Sequence, residues 1–236
     1  MHALFSFTTP AHECAYLPEQ TARLEYTVAG EISAAEFEIL LKRGWRHFGF
    51  SLFHPKCAHC SACQSIRVPV ARFQPNRSQR RAWNANGDVR VTIGPPSVSD
   101  AKLDLYDRFH AFQVGNKSWP EHASKEESSY VESFVENPFS VQEWCYYLGE
   151  KLVGVGYVDE LSDSMSAIYF FYDPDERQRS LGTFNVLRIL AEAAQRGISH
   201  LYLGYFVDGC QSLEYKANFI PNQVMGPDGA WVDFRV

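Results

Sequence analysis

The chain predicts an α+β fold, and three features of its second half carry that reading. VQEWCYYL and KLVGVGYVDEL are strand-like runs joined by Gly149-Glu150, a hairpin signal, and SAIYFFYD follows as a third strand. LGTFNVLRILAEAAQRG then places Val186, Ile189, Leu190 and Ala193 at the i, i+3, i+4, i+7 spacing of a helix. HLYLGYFV, SLEYKANF and AWVDFRV continue as strand, short helix and strand, so one sheet with helices packed on it accounts for residues 98–236.

The first half predicts a smaller α+β unit over residues 1–97. SAAEFEILLKRG has Ser33 and Glu36 placed as a capping box and Gly44 as a stop. WRHFGFSLF and SIRVPVARF are strand-like and bracket Cys57, Cys60 and Cys63, which puts those thiols on a connecting loop. Pro75 precedes RSQRRAWN, a short basic helix, and GDVRVTIGPP is a strand with a proline stop. SDAKLDLYDRFHAFQV is a helix opened by Ser99 or Asp100, and GNKSWPEHASK, residues 115–125, predicts a mobile loop.

Composition narrows the function classes. In 236 residues, 45% apolar and 14% aromatic content supports a substantial core and excludes a largely disordered chain. A net charge of −6 means that bulk charge does not advertise a nucleic-acid partner. Local charge is still uneven, with cations gathered in RSQRR and acids around 121–136. MHALFSFTTP lacks the basic start and long apolar run of a signal peptide, and no run of about 18 apolar residues predicts a membrane span. The expectation is a cytoplasmic protein with no membrane partner, whose six cysteines are thiols or ligands instead of disulfides.

The order of elements in the second half resembles the GCN5-type acyltransferases. There a strand leads into a [Q/R]-x-x-G-x-[G/A] loop that holds a pyrophosphate at a helix N-terminus. Arg177-Gln178-Arg179-Ser180-Leu181-Gly182 matches at its first and last positions and departs at Ser180. The plainer reading of the hexapeptide is an ordinary helix start.

A wider set of motifs resembles one family over nearly the whole chain. CAYLPEQTARLEY and FGFSLFHPKCAHCSACQSIRVPVARFQPNRSQRRAWNAN stand in the first half. FFYDPDERQRSLGTFNVLRI, LYLGYF, CQSLEYKANFIPNQVM and Trp231 stand in the second. In this order they resemble the aminoacyl-tRNA–protein transferases, which include eukaryotic arginyltransferases and bacterial aspartate/glutamate leucyltransferases. The compact length resembles the bacterial branch. The resemblance implies transfer of leucine from Leu-tRNA to the α-amine of proteins beginning with Asp or Glu, a step of the N-degron pathway of protein degradation. Three alternatives stay open: an arginyl donor, an acyl-CoA N-acetyltransferase, and a zinc-dependent nucleic-acid binder without enzymatic activity.

The resemblance also implies site residues. Arg177, Arg179 and Ser180 at the helix entry suit the acceptor end of a tRNA. Arg77, Arg80 and Arg81 suit its backbone or an acceptor carboxylate, unless they form a solvated helix face. Lys216 is a further carboxylate reader. Tyr172, Asp173, Tyr205 and Glu214 fall near the expected reaction centre, with Asp173 or Glu214 as a base. An aminoacyl ester is already activated and an α-amine has a pKa of about 8, so direct transfer needs neither a covalent enzyme intermediate nor a cofactor. Cys210 is the rival nucleophile, with no histidine beside it in sequence.

For the thiols, a ferredoxin run would need a cysteine where Arg67 stands. The resemblance places the N-terminal segment near this loop and so implies Cys14 as the fourth partner of Cys57, Cys60 and Cys63, with His54 and His59 as alternatives. The candidate cofactor is zinc or an iron–sulfur cluster, and the other reading is a set of packed, reduced thiols.

Overall fold

The computed structural model describes residues 1–117, 119 and 121–235. Four strands open the chain: β1 (His2–Thr8), β2 (His12–Glu13), β3 (Thr21–Ala22) and β4 (Leu24–Glu31). The first helix, α1 (Ala34–Lys42), starts on the predicted capping box, in which Ser33 Oγ accepts from Glu36 N–H and Glu36 accepts from Ser33 N–H.

WRHFGFSLF, predicted as a single strand, is a hairpin. β5 (Arg46–Phe48) and β6 (Ser51–Pro55) pair antiparallel around Gly49, which has φ +51°. A Cβ on Gly49 would lie 2.0 Å from Glu132 O, so glycine is required by both conformation and space. β1, β4, β6 and β5, in that order, form a four-stranded sheet.

The remaining elements are β7 (Gln64–Pro69), α2 (Arg77–Ala85), β8 (Val89–Gly94), α3 (Asp100–Lys117), α4 (Glu127–Tyr130), β9 (Val141–Leu148), β10 (Lys151–Glu160), β11 (Ser164–Tyr172), α5 (Leu181–Gln195), β12 (His200–Phe206), β13 (Asn222–Met225) and β14 (Trp231–Arg235). SLEYKANF, predicted as a helix, tightens to a 3₁₀ turn at Glu214–Asn218. α3 runs on to Lys117, into the stretch predicted as a mobile loop; Ser118 and Pro120 of that stretch lie outside the described residues.

The large sheet is mixed and eight-stranded, in the order β14-β13-β7-β12-β11-β10-β9-β8. Two of its strands, β7 and β8, come from the first half of the chain, and β7 sits in the interior between β12 and β13. One face is covered by α5 and α2, over a core that includes Ile66, Val68, Leu187, Leu190 and Leu201. The other face is covered by α3 and the segment behind α4, over Leu105, Phe109, Tyr130, Val155 and Phe171. The four-stranded sheet leans on this second face, where Phe48 meets Phe134 and Tyr169.

A buried ion pair fastens the two sheets. His47 of β5 and Asp159 of β10 are 3% and 0% exposed, with His47 Nε2 2.8 Å from Asp159 Oδ1 and His47 Nδ1 3.0 Å from Gly49 O. Among the described residues no helix is long and apolar enough to cross a membrane.

Candidate active site

β11 and β12 are the parallel pair of the large sheet, and they stay paired only from Ser164–Ser166 against His200–Tyr202. Beyond that point β12 follows β7, and a wedge opens between the ends of β11 and β12. Tyr169 of β11 and Tyr205 of β12 both lie beyond the last paired residues of the two strands. Tyr16, from the segment between β2 and β3, is close enough to act electrostatically on both. Tyr16 is 39% exposed; crowding around its hydroxyl first, then the nearby Cys63, Cys210 and Cys14, push its pKa up to about 12.

Behind Tyr169 lies a histidine of fixed tautomer. His110 Nδ1 is 2.8 Å from Tyr106 O, and a carbonyl only accepts, so Nδ1 carries the proton. His110 Nε2, 2.8 Å from the Tyr169 hydroxyl, is therefore the acceptor of that O–H. Tyr106 stacks on the His110 ring at 3.8 Å and His122 stacks at 4.7 Å, while His122 Nε2 is 2.8 Å from Asp107 Oδ1. Burial lowers the His110 pKa, which keeps its imidazole neutral near pH 7, and burial raises that of Tyr169 well above 10.

The structure brings together some of the residues expected from sequence. Tyr205, Lys216, Cys14 and Cys63 meet at the wedge; the Tyr205 hydroxyl donates to Gly44 O at 2.8 Å, and Lys216 Nζ donates to Tyr205 O at 2.9 Å. Tyr172 is half-buried between Phe109 and Phe170. Glu214 is exposed and accepts from Gly209 N–H at 2.7 Å, closing a turn after β12.

Asp173, expected as a candidate base, is held by two cations. It is fully buried, pairs with Arg108 Nη2 at 2.7 Å and Lys151 Nζ at 2.8 Å, and accepts from Asp175 N–H at the head of the 3₁₀ turn Pro174–Arg179. Burial acts to raise its pKa but is outweighed by Lys151, the Asp175 N–H and Arg108, so the carboxyl titrates below its usual range and is a weak proton acceptor.

Arg179 is likewise committed inside the protein. Its guanidinium grips Asp88 at 2.8 and 3.2 Å, Glu176 at 3.1 Å and Ala85 O at 3.0 Å, clamping the helix entry to the end of α2 at the surface. Arg177 is exposed beside it. Ser180 holds a left-handed conformation, φ 58° and ψ 45°, and its side chain makes no capping bond to α5. Arg77, Arg80 and Arg81 are exposed along α2, on the α5 face of the sheet. α2 is held by the Asn76–Gln79 capping box and by Gln79 Nε2 on Asn218 O at 3.0 Å.

The thiols lie in the segment between β6 and β7, with Cys14 and Cys210 beside Cys63. Burial, then the neighbouring Cys14, Cys57, Cys60 and Cys210, pushes the Cys63 pKa up to about 12, so it is a protonated thiol and a poor nucleophile at neutral pH. Cys57 Sγ lies 3.7 Å from Arg23 O, and His54 is engaged with Glu25 at 2.8 Å. Among the described residues no group of three His, Cys, Asp or Glu side chains stands in position to hold a metal ion.

Arg46, Tyr16, His110 and Tyr169 escaped the sequence reading. His110 and Tyr169 are 59 positions apart and meet only through the docking of α3 on β11. Arg46 carried one local signal: a cation inside an otherwise aromatic strand run, WRHF.

A family model for the N terminus of arginine-tRNA-protein transferase matches residues 12–81, and one for its C terminus matches residues 101–226. An aspartate/glutamate leucyltransferase of Campylobacter jejuni is 37% identical over 222 residues, spanning 93% of this chain and 92% of that protein. One from Halorhodospira halophila is 37% identical over 94% of each chain, and one from Stenotrophomonas maltophilia is 35% identical over 97% and 92%. Among solved structures, FemX is similar at 9% identity and a TM-score of 0.47, covering 90% of this chain and 82% of that one. A mixed-sheet α+β protein with a wedge between two parallel strands and motif matches over both halves is an aminoacyltransferase. The chain belongs to the arginine-tRNA-protein transferase family.

Proposed function

We infer that this enzyme moves leucine from Leu-tRNA to the α-amine of proteins that begin with Asp or Glu, so that the leucine-headed product enters the N-degron route to degradation. The observation that carries the reading is likeness, over nearly the full length of both chains, to relatives named aspartate/glutamate leucyltransferase. The order of elements around β11, α5 and β12 supports a GCN5-type arrangement, with the aminoacyl ester lying in the wedge and the tRNA on the α2–α5 side.

The chemistry is a direct transfer. The attacking nitrogen of the neutral α-amine adds to the ester carbonyl and forms a tetrahedral intermediate. Its surplus proton passes to the Tyr169 oxygen as the Tyr169 proton passes to His110 Nε2. Return of that proton to the ribose oxygen completes departure of the tRNA, so every proton is accounted for within Tyr169, His110, amine and leaving group. The step draws on no cofactor, and the thiol segment serves as a wall of the cleft.

Incubation with Leu-tRNA or Arg-tRNA and peptides starting with Asp, Glu or Ala tests the reading by product mass. Leucine is expected on the Asp and Glu peptides alone; arginine addition instead would assign the donor to the other branch, and no addition would overturn the reading. On the tRNA side, Arg77, Arg80, Arg81 and the exposed Arg177 form the basic surface. Arg81→Ala is expected to weaken Leu-tRNA binding and to reduce the slope of log affinity against log salt by about 1. An unchanged slope in a salt titration removes Arg81 from the interface.

A further inference from the structure

Two cations meet at Gly204, and among the described residues neither forms a salt bridge with a carboxylate. Arg46 of β5 is 7% exposed. Its Nη1 donates to Trp45 O at 2.7 Å and its Nη2 to Gly204 O at 3.1 Å, while its Nε is buried with no partner. The guanidinium carbon stands 5.3 Å from the centre of the Tyr205 ring and 5.8 Å from that of Tyr202. Lys216 Nζ is spent on Tyr205 O through one of its three donors.

Gly204, with φ +84°, joins the two head groups. A side-chain carbon there would lie 3.3 Å from Lys216 Nζ and 4.0 Å from Arg46 Nε, so the bare glycine keeps a small space between them. Among the described residues the carboxylate whose charge reaches Arg46 is Asp159, which is already bonded to His47. The groups acting on Lys216 are Arg46 and the thiols Cys210 and Cys63. Burying like charges together is costly, and it is relieved when an anion binds between them. Consistent with that, burial and the Arg46 charge lower the Lys216 pKa to about 7.

We propose that Arg46 and Lys216 together read the acceptor, by binding the side-chain carboxylate of its N-terminal Asp or Glu over Gly204. The inference rests on the leucyl-transfer reading and names the group that makes it selective. Tyr16 acts electrostatically on both Tyr205 and Tyr169, which links the cation pair to the Tyr169–His110 pair. An acceptor anchored by its carboxylate thus presents its α-amine on the side of the proton acceptor. Asn and Gln, which match Asp and Glu in shape and lack the charge, leave both cations unbalanced.

The test is kcat/KM for two peptides that differ only in starting with Asp or Asn, at saturating Leu-tRNA, in wild type, Arg46→Gln and Lys216→Met. Both peptides are assayed on the same preparation, so any loss of folded enzyme cancels from their ratio. Charge-assisted hydrogen bonds in a desolvated site separate the two by about tenfold to a hundredfold. Each variant is expected to lose that preference, with the KM for Leu-tRNA unmoved. A wild-type preference that persists in both variants, or a loss falling on KM for Leu-tRNA alone, overturns the assignment while leaving leucyl transfer in place. Wild-type enzyme that leucylates neither peptide overturns the transferase reading and this inference with it.

Discussion

His47→Ala lowers the thermal midpoint by roughly 10 °C, the largest stability effect expected of a single substitution outside the wedge. The change strands Asp159, which is fully buried, without its imidazole partner. Breaking a buried ion pair by removing one member costs about 3–5 kcal/mol, and a chain of this size loses about 2–4 °C per kcal/mol. Replacing both residues by leucine, which leaves no orphaned charge, is expected to restore most of the loss. The dependence on pH follows from the direction of the shift. Burial, the strongest influence, acts to lower the His47 pKa, but Asp159 and the Gly49 carbonyl outweigh it and the pKa ends above 6.5. A raised folded-state value means that the contribution is full below about pH 6.5 and is lost as pH rises through the folded pKa. Melting curves of wild type and His47→Ala should therefore converge as pH increases; curves that stay parallel from pH 6 to pH 9 would show that His47 is not charged in the folded protein.

The second large effect is on turnover. Tyr169→Phe removes one oxygen and leaves the ring stacked on Phe134 and edge-on to Phe48. A positioned acid or base contributes about 10²- to 10⁴-fold to the rate, and a loss in that range is expected in kcat with the KM for Leu-tRNA unchanged. His110→Gln should match it, and the double variant should be no slower than either single, because the two act as one relay. His110 titrates below 6.5 in the folded protein, so the acidic limb of the wild-type kcat profile belongs below that pH and should vanish in His110→Gln. Single variants whose effects multiply in the double would place the proton elsewhere.

What the sequence made legible was local. The Ser33–Glu36 box, the Gly149-Glu150 hairpin and the apolar stripe of α5 each announce themselves within a few residues, and each is present. The placement of β7 beside β12 was hidden because Val68 pairs with Leu201 far along the chain. The break at Gly49 was masked by the aromatic alternation on either side of it, which reads as one continuous strand. At the site, Asp173 was visible as an acid at a strand end, but the two cations that hold it are Arg108 on α3 and Lys151 on β10. The same holds for Arg179, whose partner Asp88 lies just before β8. Charge type can be read from sequence, whereas a charge's partner depends on topology.

The interior position of β7 bears on how the chain must be made. Both of its neighbours, β12 and β13, are synthesised long after it, so a growing chain carries β7 with two unpaired edges until nearly all of the polypeptide is out. Exposed strand edges invite pairing with other chains, and contacts so distant in sequence form slowly. The newborn protein is therefore most vulnerable to aggregation late in its synthesis, when the thiol-bearing half is complete and still waiting for the strands that will enclose it.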